Sequence, residues 1–355
     1  MYSLEELGWG PQFQPPTDTR IEDLIPARVA EEQRGAYLLF AESGPLEGIV
    51  TGRLIHEASG RDEFPAVGDW VFARPLLGEA RAVIQQVLPR QTKLSRKAAG
   101  ERTDEQIMAA NVDTVFLVAS LNHELNVRRI ERYLAVASDS GARPVIILNK
   151  ADLAEGAAAQ LSAVEGAAPG VDVHVTSALT GDGVDAVCGY LAPGQTVVFV
   201  GSSGVGKSSL VNRLLGRSAQ AVREIRSDDK GRHTTTSRQM LFVPGGGLII
   251  DTPGLRELQL WATGQGISHT FADIDELAGE CAFSDCTHAA EPGCAVQSAL
   301  DDGRLDFGRM ESYRKLQREQ EFIESKKDVS LRLAQKNKWK AIHKANRERM
   351  KFRGR

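Results

Sequence analysis

The chain has 355 residues, 25% of them charged and 42% hydrophobic, with a formal net charge of −4. That length predicts two or three domains, and the composition excludes disorder on a large scale. No basic start followed by an apolar stretch opens the sequence, and no run approaches the roughly 18 apolar residues of a membrane span, so neither a secretory signal nor a membrane anchor is expected. Four cysteines, three of them between Cys281 and Cys294, suit a metal site in a reducing compartment better than a disulfide framework and point to a cytoplasmic protein.

Residues 1–25, with Trp9, Phe13 and the Pro15-Pro16 pair in a polar setting, read as a loosely docked arm. From 26 to 95 the text is short apolar runs broken by glycine and proline: Gly35–Phe40, Gly48–Leu54, Val67–Phe72 and Ala82–Val87. Strands at that spacing predict a small β-barrel, in which Tyr37, Phe40, Trp70 and Phe72 serve as core before they serve as a base-stacking platform. Pro89–Lys97 reads as a basic linker that touches RNA or is simply solvated.

A second domain, 96–262, alternates strand and helix, which predicts a doubly wound α/β sheet with its ligand at the carboxyl ends of the strands. Asp113–Ala119 is a continuous apolar strand. Ile130, Tyr133, Leu134 and Ala137 then repeat at helical spacing, with Arg128, Arg129, Glu131 and Arg132 facing outward. The strand Pro144–Leu148 runs into Asn149-Lys150-Ala151-Asp152, an NKxD motif. Its carboxylate can accept from the N1–H and 2-amino group of guanine, a donor pair that adenine lacks, while Asn149 holds the loop and contacts the base. A second strand, Val171–Thr176, delivers Ser177-Ala178, where a backbone N–H is expected to face guanine O6. Cys188 follows on a helix and reads as core.

The strand Thr196–Val200 leads into Gly201-Ser202-Ser203-Gly204-Val205-Gly206-Lys207-Ser208-Ser209 and then the helical Leu210–Leu215. G-x-x-x-x-G-K-S between strand and helix is a phosphate-binding loop, whose glycines let consecutive N–H groups turn inward around phosphate oxygens at the positive end of a helix. Lys207 is expected to reach the β- and γ-phosphates and Ser208 to ligate Mg²⁺. Two switch elements follow. In Gly231-Arg232-His233-Thr234-Thr235-Thr236 either Thr235 or Thr236 completes the Mg²⁺ shell. In Asp251-Thr252-Pro253-Gly254, Asp251 holds Mg²⁺ through water and the Gly254 N–H meets the γ-phosphate. Leu255 stands where many GTPases place a water-orienting glutamine. An isobutyl group cannot orient water, which leaves the neutral imidazole of His233 as the local candidate for that catalytic role.

The order base, base, phosphate, switch, switch is a circular permutation of the usual GTPase order, with the second switch running straight into the next segment. That segment, 263–330, contains Cys281-x4-Cys286-x-His288-x5-Cys294. Three thiolates and an imidazole make a closed tetrahedral set for one structural Zn²⁺, stapling a small domain with a thin core. From 331 to 355 ten Lys and Arg stand against Glu348 alone, so this basic tail carries +9 and the remainder of the chain −13. Such a tail finds a polyanion or is merely solvated.

NKAD, TSA, GSSGVGKSS, GRHTTT, DTPG and the zinc pattern together make the chain resemble the RsgA (YjeQ) family of circularly permuted GTPases, from about Arg28 to the basic tail. The resemblance implies an oligonucleotide-binding-fold barrel, a permuted GTPase core and a mainly helical C-terminal zinc domain. It also implies GTP hydrolysis with Mg²⁺ in late assembly of the small ribosomal subunit, stimulated by that subunit and coupled to rRNA binding, by a monomer with no membrane partner, and it points to the same histidine in GRHTTT. The alternative is an RNA-binding module that keeps GTP as a structural ligand. A third reading, an ATP-dependent enzyme, is opposed by NKAD.

Overall fold

Two strand periodicities divide the chain. In the first domain the apolar residues alternate, and in the second they run continuously, because one sheet closes on itself and the other is covered on both faces. The computed structural model describes residues 2–13, 23–33, 35–97, 105–122, 125–154, 156–216, 238–251, 264–289 and 291–325.

Strands β1 (Ile25–Glu32), β2 (Tyr37–Ala41), β3 (Gly44–Val50), β4 (Trp70–Pro75) and β5 (Arg81–Val87) pair in the order β1-β2-β3-β5-β4, and β4 closes back on β1. Only β3 and β5 pair in parallel. A short helix α1 (Gly52–Glu57), capped by the Thr51 hydroxyl, joins β3 to the closing half. This is the small barrel expected, here of five strands, with the interior filled by small and branched side chains: Ala27, Val29, Leu39, Ala41, Val71, Ala73, Ala82 and Ile84.

The barrel's outer aromatics are also buried, and the N-terminal arm buries them. Leu7 is 0% and Phe13 5% exposed, and Trp9 meets Trp70 edge-on with ring centroids 4.8 Å apart. Tyr2 stacks on Phe242 of the second domain at 4.7 Å. For residues 2–13 the expectation of a loosely docked arm is corrected: Leu7 and Phe13 are buried in the core and Tyr2 and Trp9 pack half-buried against it. Arg28 is enclosed at the same junction, donating to Leu7 O, Gly68 O and Asn111 O beneath the Trp70 ring. Burial pulls this guanidinium down to about 10.

The basic stretch after the barrel is not a linker either. Lys93–Lys97 is a strand, β6, paired antiparallel with β7 (Glu105–Ala110). Arg90 forks onto both oxygens of the fully buried Asp69 at 2.8 and 2.7 Å and donates to the carbonyls of Phe64 and Asp62. Burial pushes the Asp69 carboxyl up, against the pull of Arg90 and the Ala66 N–H.

The second sheet has the order β10-β9-β8-β11-β13-β12, with β8 (Thr114–Ser120), β9 (Arg143–Asn149), β10 (Asp172–Val175), β11 (Thr196–Val200) and β13 (Leu248–Asp251) parallel. β12 (Gln239–Phe242) is antiparallel to β13 and pairs Gln239 with Glu31 of β1, so sheet and barrel are continuous. Helices α2 (Val127–Ser140) and α3 (Ala157–Ala167) pack with Leu117, Ile146, Val198 and Ile250 on one face. On the other face α4 (Val184–Cys188) and α5 (Lys207–Leu214) pack with Phe116, Val145, Val197 and Ile249. Cys188 is exposed, not core: α4 buries Val184 and Val187 one turn apart, and the next residue turns out.

The C-terminal region is helical: α6 (Gln265–Thr270), α7 (Ala272–Gly279), α8 (Ala295–Asp301) and a helix over 307–325, here α9. It covers the face of α2 that the sequence assigned to solvent. Glu131 is 0% exposed and accepts from Arg128 at 2.6 Å and from Arg309 of α9 at 3.1 Å. Arg309 also forks onto Asp273 at 2.8 and 2.7 Å and lies over the Phe271 ring. At the barrel junction, Arg90→Met should cost about 3–5 kcal/mol by stranding the buried Asp69 charge. The double change Asp69→Leu with Arg90→Met should cost less than the single one, which urea unfolding midpoints will show.

Candidate functional site

The NKxD loop, the Ser177-Ala178 loop and the phosphate loop all leave the carboxyl edge of the parallel sheet, and Asp251 ends a strand at the same edge. β9 ends at Asn149, β10 ends just before Thr176, β11 ends at Val200 and β13 at Asp251. The pairs Ser120↔Asn149, Val175↔Leu148 and Val198↔Ile250 place these ends beside one another. Segments far apart in the chain thus meet because parallel strands share one exit edge.

The phosphate loop turns from β11 into α5, whose first turn contains Lys207, Ser208 and Ser209. Ser203, Gly204, Ser208 and Ser209 are exposed, and Val205 is buried against the sheet. Lys207 folds its ammonium back over the loop, donating to Gly201 O and Ser202 O at 2.7 Å each. Gly206 has φ 97°, and a Cβ there would lie 2.1 Å from Asn149 Nδ2. Glycine is required at this position by the approach of the base-reading strand as well as by the backbone.

Asn149 is the centre of the arrangement. It is 1% exposed, donates from Nδ2 to Val205 O at 2.9 Å, and accepts at Oδ1 from Thr176 Oγ1 at 3.2 Å and from Ala178 N at 3.0 Å. One amide therefore joins the phosphate loop to both base loops. Lys150 takes φ 67°, which turns the chain so that Ala151 N bonds Thr176 O at 3.0 Å and Asp152 faces solvent. Ser177 Oγ donates to Asp152 Oδ1 at 2.5 Å, orienting the carboxylate expected to read guanine. Within this loop the Ala178 N–H is engaged by Asn149 Oδ1. Asp251 leaves β13 one residue past Ile250, beside the phosphate strand. His233, Thr235 and Thr236 of the first switch, Gly254 and Leu255 of the second, and the tail 331–355 lie outside the described residues.

Sequence reasoning missed Arg129, and it took Thr176 only as part of the TSA match, without the partner its hydroxyl finds in Asn149, 27 positions earlier. Arg129, read only as an outward charge on α2, donates to Ser202 Oγ of the phosphate loop at 2.8 Å, beside a cavity of about 310 Å³ that runs under the loop.

The second candidate site is the thiol cluster. Ligand atoms of Cys281, Cys286, His288 and Cys294 all lie within 4.8 Å of one another. His288 Nδ1 is 3.5 Å from the sulfurs of Cys281 and Cys294, and those two sulfurs are 3.9 Å apart. Metal–sulfur bonds of about 2.3 Å and a metal–nitrogen bond of about 2.0 Å require tetrahedron edges of roughly 3.5–3.8 Å, so the set fits one tetrahedral ion. Its loop is braced: Gln297 Nε2 and Arg314 of α9 donate to His288 O, and Glu291 accepts from the N–H groups of Thr287 and Ala289. For the nucleotide site, Asn149→Ala should strand Val205 O and the Ala178 N–H and weaken guanine-nucleotide affinity roughly 10–100-fold, at about 1–3 kcal/mol for the orphaned groups. Fluorescent-nucleotide titration measures it, and an affinity within about twofold of the parent would remove Asn149 from its central place.

A model of the RsgA GTPase family matches residues 87–261. Among curated proteins the chain is 47% identical to the small ribosomal subunit biogenesis GTPase RsgA of Opitutus terrae, over 99% of both chains. It is 48% identical to small ribosomal subunit biogenesis GTPase RsgA 2 of Lactiplantibacillus plantarum, over 86% of each. Among solved structures it resembles YjeQ from Thermotoga maritima, with TM-score 0.63 and 27% identity over 82% of this chain and 97% of that one. It also resembles YloQ, a circularly permuted GTPase, with TM-score 0.59 and 25% identity over 88% and 99%. A chain that is 47% identical to a curated RsgA over 99% of its length, with its guanine and phosphate loops joined through Asn149 in a permuted sheet, belongs to the RsgA GTPase family.

Proposed function

We propose that this chain hydrolyses GTP during late assembly of the small ribosomal subunit, and that the subunit with its rRNA stimulates the hydrolysis. The observation that carries the reading is near-full-length identity of 47% to a relative named for small ribosomal subunit biogenesis, in a chain whose two base loops and phosphate loop leave one sheet edge. Asp152 reads the guanine, the loop Gly201–Gly206 and Lys207 cradle the phosphates, and Ser208, Asp251 and a switch threonine, Thr235 or Thr236, hold Mg²⁺. Bound there, Mg²⁺ would supply neutralising charge to the phosphates. A monomer working in the cytoplasm fits a site that needs reduced thiols, and among the described residues no helix is long and apolar enough to cross a membrane.

With Leu255 in place of a water-orienting glutamine, the isolated chain is expected to hydrolyse slowly. His233 orients the attacking water once the first switch is ordered by the bound subunit, so stimulation is a positioning effect. The expected outcome is a rate raised by purified small subunits. His233→Ala should keep GTP affinity and subunit binding and lose most of the stimulation. A variant stimulated as strongly as the parent would transfer the water-positioning role to a ribosomal group. No stimulation of the parent would favour the alternative of an RNA-binding module that keeps GTP as a structural ligand.

The metal held by Cys281, Cys286, His288 and Cys294 is Zn²⁺ in a structural role, since four protein ligands leave no open position. Elemental analysis should find close to one Zn²⁺ per chain. Cys286→Ala should abolish it and loosen the C-terminal helices to proteolysis while leaving nucleotide affinity intact, because the cluster and the phosphate loop share no ligand.

A further inference from the structure

Helix α5 begins at the phosphate loop, and its Arg213 reaches across to the second base loop. Nη1 donates to Ala178 O at 3.2 Å and Leu179 O at 3.3 Å, and Nη2 to Thr180 O at 2.7 Å. Three successive carbonyls of one loop converge on a single guanidinium, a fork that a lysine ammonium cannot reproduce. The next residue, Gly181, has φ 101°, and a Cβ there would sit 2.2 Å from Nη2, so the loop closes over the arginine only because it has glycine there.

The other side of the same loop is held by the base-reading residues. Ser177 Oγ donates to Asp152 and accepts from Thr180 N at 3.1 Å, and Ala178 N bonds Asn149 Oδ1. Gly181 N bonds Ser177 O at 2.8 Å. The loop is clamped between Asn149 and Asp152 on one side and Arg213 on the other. Because a trans peptide is planar, fixing Ala178 C=O fixes the Leu179 N–H to point the opposite way, away from Arg213. With the Ala178 N–H already engaged by Asn149, the Leu179 N–H is the adjacent donor left to face the base.

We propose that Arg213 is a positioning residue for guanine recognition, bracing the 178–180 carbonyls so that the Leu179 N–H meets the guanine O6, and linking the phosphate-loop helix to base selection. The proposal rests on the guanine reading of Asp152, and the nucleotides used to test it separate the two. Replacing O6 by sulfur, in 6-thio-GTP, weakens only the acceptor that Leu179 would read. Removing the 2-amino group, in ITP, reports on Asp152.

Competition against a fluorescent GDP gives the affinities. Arg213→Ala should weaken GTP binding roughly tenfold, on the scale of one hydrogen bond to a charged group, and bring the preference for GTP over 6-thio-GTP to within about twofold of unity. Its preference for GTP over ITP should stay at the parental value, and Arg213→Lys should recover part of the loss. An unchanged preference over 6-thio-GTP overturns the proposal. So does a variant in which both preferences shrink together with a lowered thermal midpoint, since that is the signature of a loosened fold. A parent that does not prefer GTP over ITP overturns the guanine reading itself, and the proposal with it.

Discussion

The nucleotide site depends on one buried primary amide. Asn149 spends its Nδ2 on the phosphate loop and its Oδ1 on the two residues that begin the second base loop. No water can replace these bonds without opening a site that is 1% exposed, so its loss would leave polar groups stranded. In a permuted chain this matters more than in the ordinary order. The base loops are synthesised before the phosphate loop, and Val205 reaches Asn149 across 56 residues of sequence. Strand pairing brings the loops to one edge, and the amide sets their relative position.

A second polar centre ties the GTPase layer to the helices that follow it. Glu131 and Arg309 are both nearly inaccessible, and each alone would be a costly buried charge. Together with Arg128 and Asp273 they form a chain of ion pairs from α2 through α9 to the start of α7. Arg132 and Glu319 add a parallel contact at 2.6 Å. Arg129, one residue before the α2 apolar stripe, reaches the phosphate loop instead. Neighbouring residues on one helix thus touch the nucleotide loop and the C-terminal helices.

Most of the fold was legible because burial on both faces leaves a plain signature. β8, β9, β11 and β13 are apolar runs, and the last three end on a motif residue or at the start of a motif loop. The barrel was legible from alternation. What escaped depends on partners remote in sequence. Glu131 looks like a solvated charge until Arg309 is placed beside it, 178 residues on. The stretch Pro89–Lys97 looks like a basic linker because its pairing strand follows an intervening segment and because Arg90 finds an acid, Asp69, on the barrel. The arm's aromatics could not declare their target, since Trp70 and Phe242 lie in different domains. At the site, Arg129 and Arg213 act through ordinary side chains whose contacts with the phosphate and base loops exist only in the folded arrangement.

The permutation has a mechanical consequence that the packing makes specific. The second switch begins where β13 ends at Asp251, inside a sheet paired on both sides, and the next described residues open α6. That helix is seated tightly on α2: Gly266 N donates to Asp139 Oδ1 at 2.8 Å, and a Cβ on Gly266 would lie 2.0 Å from Ala135 O. β13 is thus held within the nucleotide sheet and α6 on α2, the helix whose Arg129 touches the phosphate loop. In the usual order the second switch returns to a further strand of the same sheet, which absorbs its displacement. On the proposed reading of the second switch, a displacement there passes next to the helices that carry the Cys281–Cys294 cluster, since among the described residues no further strand of the sheet follows β13.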